Sequence, residues 1–129
     1  MRALKLVLAF AASVSASAAW ADTLEMPCMV NDVSAFTDRV HLLCGVPPGT
    51  KTSGWTNIVD GYHYLTYQDV PYRAVAASSP LAPTFVAIAL DALRTGKVIY
   101  VTFDQDRTHN PPGCLEKDCR GVLAIRSYR

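Results

Sequence analysis

The first 21 positions contain no acidic residue, and the apolar run within them, Leu6–Val14, is shorter than the ~20 residues a spanning helix needs and passes into Ser and Ala. A membrane anchor is therefore not expected. Excess charge is also missing: twelve Lys and Arg stand against eleven Asp and Glu, and because Arg2 and Lys5 lie in the leader, ten basic residues oppose eleven acidic ones from Asp22 onward. A protein that grips nucleic acid through its phosphates needs a basic excess or stripe, and these bases are scattered singly, so nucleic acid is excluded as a partner. No Cys-x-x-Cys occurs, which removes the usual thiol-redox motif. Nor is the paired spacing of a zinc module present, since only Cys114 and Cys119 are close in sequence. No Ser or Cys nucleophile has a visible orienting base. There is no repeat, low-complexity tract or linker.

The leader itself is informative. Met1, Arg2 and Lys5 precede the apolar run, and Ala19-Trp20-Ala21 puts small side chains at the two positions a signal peptidase accepts, with Asp22 following. The expectation is a signal peptide over 1–21, cleaved near Ala21, and a single domain over 22–129 in the periplasm or secreted, with no span left after cleavage. All four cysteines, Cys28, Cys44, Cys114 and Cys119, fall in that domain, and an even number in an oxidising compartment reads as two disulfides. Three connectivities are possible. Local bracketing favours Cys28 with Cys44 and Cys114 with Cys119.

Along the domain, Asp22–Pro27 reads as a short leader, and Met29–Phe36 and Arg39–Cys44 as a hairpin turning at Thr37-Asp38. Val30 sits on one alternation of the first run while Val33 and Ala35 sit on the other, a parity change that a β-bulge resolves. Positions 45–54 are a Pro- and Gly-rich loop. Tyr62–Val70 is a third strand stopped by Pro71. Ser79–Gly96 carries the helical signal: Ser79 as N-cap, Pro80 and Pro83 in the first turn, an apolar stripe through Leu81, Phe85, Ile88 and Ala92, and Gly96 past the end. Val86, Leu90 and Leu93 widen that stripe, so a largely covered helix is expected, with Asp91 and Arg94 in water. Lys97–Asp104 alternates as a fourth strand, Arg107–Arg120 is a polar loop tied by a disulfide, and Val122–Tyr128 is a fifth strand.

The expected fold is thus mostly β with one helix, in the order β-β-β-α-β-β. That order, with the helix running into Gly96-Lys97-Val98-Ile99-Tyr100-Val101 and the short Cys114–Cys119 loop before the last strand, resembles the OB-fold, a five-stranded Greek-key barrel. It is similar in topology to small exported bacterial OB-fold proteins, including the B subunits of pentameric toxins. The resemblance implies a barrel; no site residue is transferred by it.

Three constellations stand out. Asp104, Asp106 and His109 follow the fourth strand and have the donor types for a hard or borderline cation, but a fourth ligand is missing, so no metal and no cofactor is expected. His41 and His63 lie in strands, where a half-exposed face residue is the ordinary case. Trp55, Tyr62, Tyr64, Tyr67 and Tyr72 form an aromatic cluster beside the face where an OB-fold holds oligomeric ligands. Near-neutral charge favours sugar there, with Trp55, Tyr62 and Tyr64 as contacts. The expected function is a non-catalytic exported binding module for a glycan or a protein partner, with a homo-oligomer as one form. The rival is a metal-dependent or enzymatic protein using the loop after the fourth strand.

Overall fold

The computed structural model describes residues 23–50, 56–59, 62–65 and 70–128, with the backbone course alone for 56–59 and 62–65. Among the described residues there are seven strands: β1 (Thr23–Ala35), β2 (Arg39–Gly45), β3 (Thr56–Val59), β4 (Tyr62–Leu65), β5 (Tyr72–Ala76), β6 (Val98–Asp104) and β7 (Cys119–Ser127). A helix, α1 (Ala82–Thr95), separates β5 from β6, and a 3-10 turn, Arg107–His109, lies between β6 and β7. The strands form one sheet in the order β1-β6-β7-β5-β2-β4-β3, and β1 also pairs with β2. Five strands therefore close a ring: β1, β6, β7, β5 and β2. All ring pairings are antiparallel except β5 with β7.

One long strand makes the closure possible. β1 pairs with β6 through Thr23–Met29 and with β2 through Met29–Ala35. A register shift between Val30 and Asp32 breaks the ladder with β2, so the expected bulge is present where the alternation changes parity. The segment expected to be a leader before Met29 is instead the first half of this strand. From Thr23 to Cys28 only β6 is bonded to it, and a strand edge open on one side tolerates Pro27.

The third ring strand also differs from expectation. Tyr62–Leu65 forms a small hairpin with β3, attached to the ring through the pairing of Tyr64 with Gly45. The ring strand is Tyr72–Ala76, which begins just after Pro71 rather than ending before it. Its first amide is satisfied from outside the sheet, by Asp118 O at 2.9 Å. The last strand starts at Cys119, three residues earlier than expected.

Inward side chains alternate along β1, β2 and β6, as Met26, Cys28 and Val30, as Val40, Leu42 and Cys44, and as Ile99, Val101 and Phe103, with Val75, Val122 and Ile125 completing the core. The helix closes this core with Ala82, Phe85, Ala89 and Ala92. Leu90 is 48% exposed and Leu93 41%, so the covered stripe is narrower than expected. Leu81, Val86 and Ile88 flank that stripe, partly buried against the core. Gly96 follows the helix with φ 71°, a left-handed cap that favours glycine. The N-cap is Leu81, without a side-chain cap, rather than the expected Ser79, whose Oγ accepts from Leu81 N at 3.2 Å in the preceding turn.

Both cysteine pairs are disulfides. Cys28–Cys44 joins β1 to β2 with Cα atoms 4.9 Å apart, and Cys114–Cys119 closes a short loop with Cα atoms 5.6 Å apart. Two disulfides suit an oxidising extracellular or periplasmic setting. No helix among the described residues is long and apolar enough to cross a membrane.

Candidate functional site

The parallel pair β5–β7 is the weak point of the ring. Its ladder contains only Tyr72–Cys119, Arg73–Arg120 and Ala74–Gly121. Beyond Ala74 and Gly121 the strands part, although β5 continues to Ala76 and β7 to Ser127. A cleft of about 370 Å³ opens at this seam, walled by Val75 and Ala76 on one side, Gly121, Val122 and Leu123 on the other, and the loop residues His109, Asn110, Pro111 and Pro112 above. Ser79 and Asp104 also line it.

A second irregularity shapes the cleft. Thr102 pairs with Ala124 but Phe103 pairs with Val122, which leaves Leu123 as the extra residue of a bulge in β7. A bulge re-aims its side chain, and Leu123 stands 51% exposed at the cleft.

The polar end of the cleft is built from the loop after β6. Asp104, nearly buried at the end of that strand, accepts from Asp106 N at 2.9 Å through Oδ1, while Oδ2 meets His109 Nδ1 at 2.8 Å. Asp106 caps the 3-10 turn by accepting from Thr108 N and Thr108 Oγ1, and its other oxygen stands 3.7 Å from His109 Nε2. The imidazole is thus flanked by two carboxylates. Its pKa is raised above the ordinary histidine value, first by the hydrogen bond with Asp104 and then by the charge of Asp106, with burial opposing. Thr108 holds Asp106 below the usual carboxylate range. Asn110 fixes the loop by donating Nδ2 to Cys119 O at 3.0 Å and Cys114 O at 3.4 Å. Two carbonyls around one amide nitrogen set its orientation, and its buried Oδ1 has no partner among the described residues.

Asp104, Asp106 and His109 are therefore brought together as the sequence suggested. Among the described residues, however, no group of three or more His, Cys, Asp or Glu is arranged to hold a metal ion. The expected aromatic contacts fare differently. Trp55 lies outside the described residues, and Tyr62 and Tyr64 are placed only as backbone in β4, where Tyr62 pairs with Val59 and Tyr64 with Asn57. His63 is in the same position, opposite Ile58.

Tyr72 belongs to a different group on the outside of β2 and β5. His41 is buried there between the Phe36 ring, 4.9 Å away between centroids, and the Tyr72 ring at 5.1 Å. Arg39 Nε donates to His41 Nε2 at 2.8 Å, which fixes the neutral tautomer. Burial first, then the Arg39 charge, lowers the His41 pKa. The Cys114–Cys119 loop packs over this face: Cys114 and Cys119 cluster with Ala74 and Tyr72. Gly113 has φ 76°, a left-handed conformation that favours glycine, and a Cβ there would displace the ends of the Asp38 and Arg39 side chains.

Sequence reasoning missed Ser79, Asn110 and Pro111 as cleft residues, because a seam in a parallel pair is a property of pairing. For Leu123 the apolar residues Val122 and Ile125, three apart in a strand of period two, were the available signal. Compared with protein-family models, curated proteins and solved structures, the chain gives no match.

Proposed function

We propose that this chain is an exported, non-catalytic binding module of OB-fold type whose ligand is an extended peptide segment of a protein partner, held at the β5–β7 seam. The ring pairings, the helix between its third and fourth strands and the inserted β3–β4 hairpin support the OB reading. In such a fold, ligands are usually held over the second and third ring strands. Here that face carries the protein's own disulfide loop, with Cys114 and Cys119 on Ala74 and Tyr72, which favours a seat elsewhere.

The observation that carries the proposal is the parting of β5 from β7 inside a closed ring. It leaves two strand edges facing one cleft, and extended peptides bind by adding to such edges while side chains fill flanking pockets. Pro111, Pro112, Val122 and the bulged Leu123 supply apolar walls, and the Asp104–His109 pair supplies a polar anchor. Among the described residues no Phe, Tyr or Trp lines the cleft, which favours a peptide over a stacked sugar.

A peptide library displayed on phage and selected on the native protein tests this directly. Selected peptides should bind wild type and lose at least ~10-fold in affinity to Leu123→Arg, a surface change that leaves stability within about 0.5 kcal/mol. Peptides that bind both forms equally, or a glycan array with hits where the library gives none, would overturn the peptide reading.

One observation favours a second reading, an acyl-transfer enzyme: Ser79, His109 and Asp104 line the same cleft, and the Asp104–His109 contact has the geometry of the base-orienting half of a triad. Against it, His109 Nε2 is turned toward Asp106 and Ser79 Oγ accepts from Leu81 N. Stoichiometric labelling by a fluorophosphonate, lost in Ser79→Ala, is the result that would favour the enzyme.

A further inference from the structure

The two strand edges at the seam are unequal. β5 turns away at once, since Ala77 N donates to Asp38 O at 2.8 Å and Ala76 O accepts from Ser79 N at 2.9 Å. β7 keeps its edge: from Val122 to Ser127 it pairs, among the described residues, with β6 alone. An added strand therefore has β7 as its template. It cannot run on past Gly121, where the β5–β7 ladder closes. The roof of the cleft comes down at the same residue, for a Cβ on Gly121 would stand 3.4 Å from His109 O and from Pro111 Cδ. The edge thus has a blind end, which a peptide meets with a chain terminus or with a side chain.

His109 lines the cleft at that end. Its Nδ1 is 2.8 Å from Asp104 Oδ2, and a carboxylate there fixes the neutral imidazole as the Nδ1–H tautomer, with the lone pair on Nε2. Asp106 Oδ2 is 3.7 Å from Nε2, too far for a hydrogen bond, while Oδ1 of the same carboxylate is held by Thr108 N at 2.9 Å and Thr108 Oγ1 at 2.7 Å. Two acceptors therefore stand side by side, and both side chains are open to solvent, His109 at 55% and Asp106 at 45%. The adjacent cation, Arg107, is paired with Glu116, so negative charge is in excess here in either state of His109. Such a place repels a peptide carboxylate. A primary ammonium has the complementary charge and enough N–H donors to reach both acceptors at once.

We infer that, where the seam seats a peptide, His109 Nε2 and Asp106 Oδ2 together hold a primary ammonium group of that peptide, its amino-terminus or a lysine side chain. The ammonium needs the lone pair of neutral His109, so it competes with a proton for Nε2. By linkage, bound ammonium lowers the apparent pKa of His109, and affinity falls as pH drops through that pKa. The charges that face His109 are Asp104 from β6 and Asp106 from its own turn; both raise its pKa, so the fall sets in above the ordinary value of about 6.5.

The first test uses butylammonium and needs no peptide. His109 of the native, disulfide-intact protein is titrated by NMR in butylammonium, tetramethylammonium and sodium chloride at matched ionic strength. Butylammonium should lower the apparent His109 pKa below its value in sodium, whereas tetramethylammonium, a cation without an N–H, should not. Asp106→Asn, which keeps an oxygen for the Thr108 cap, should abolish the difference. Equal titrations in all three salts, or a shift that survives in Asp106→Asn, would overturn the inference. Peptides selected on the native protein then locate the ammonium. One whose affinity drops with Leu123→Arg should lose at least ~10-fold on amino-terminal acetylation or on exchange of its lysine for norleucine, and the change that matters names the source. Seam peptides indifferent to both changes overturn the ammonium site and leave the peptide reading standing. A butylammonium effect with no peptide lost in Leu123→Arg keeps the ammonium site and removes the peptide.

Discussion

Two histidines of this small domain respond to protons in opposite directions, and each response follows from its contacts. His109, between Asp104 on β6 and Asp106 in the turn, is raised above the ordinary imidazole value, so its protonated form favours the folded state. That contribution is fully present below about pH 6.5 and is lost as pH rises through the raised value. His41 is lowered by burial and then by Arg39, so the folded state favours its neutral form. Its contribution is present above the ordinary value and fades as pH falls through the lowered one. A His109→Gln variant separates the two. Its melting temperature should fall below wild type most at about pH 5.5, with the gap closing toward about pH 9. A gap of constant size across that range would mean that the contact with Asp104 is a neutral hydrogen bond.

At the level of elements, the helix shows what sequence periodicity can and cannot specify. Pro80 and Pro83, the apolar spacing and Gly96 locate α1 to within a few residues, because these signals are local to the chain. Its buried face is not local, since it depends on how much ring lies beneath, and the stripe that packs is Ala82, Phe85, Ala89 and Ala92. Phe85→Ala should therefore cost about 3 to 5 kcal/mol and Leu93→Ala no more than about 0.5. Urea denaturation of the two variants measures both, and similar losses would place Leu93 under the ring as well. The strands divide the same way. β6 is legible because Ile99, Val101 and Phe103 alternate with Val98, Tyr100 and Thr102. β5 escapes because Arg73, which points inward, occupies the position where alternation calls for an apolar residue, and because Pro71 reads as a stop. The cleft escapes more completely, for it is created where β5 and β7 part, and these strands are more than forty positions apart in sequence.

For the molecule as a whole, the ring is a topological commitment. β7 lies between β5 and β6, so closure waits for the last strand, whereas β1 and β2 are joined by a short turn and by Cys28–Cys44. On the export reading, the chain leaves the cytoplasm amino-terminus first. The hairpin and its disulfide can then be complete while α1 and everything after it are still behind the membrane, and the open hairpin offers Leu42, Val40 and Met26 to water until the rest arrives. A cross-link made at that moment restricts the waiting chain, and closing the longer cysteine loop stabilises by about 3 kcal/mol in the chain-entropy model, against about 2 for the shorter. Pulse-labelling with thiol trapping should accordingly reveal an intermediate oxidised at Cys28–Cys44 and reduced at Cys114 and Cys119, and never the reverse. Time, in this fold, runs along the sequence: the bent first strand is a template that must stay unspent until its distant neighbour arrives.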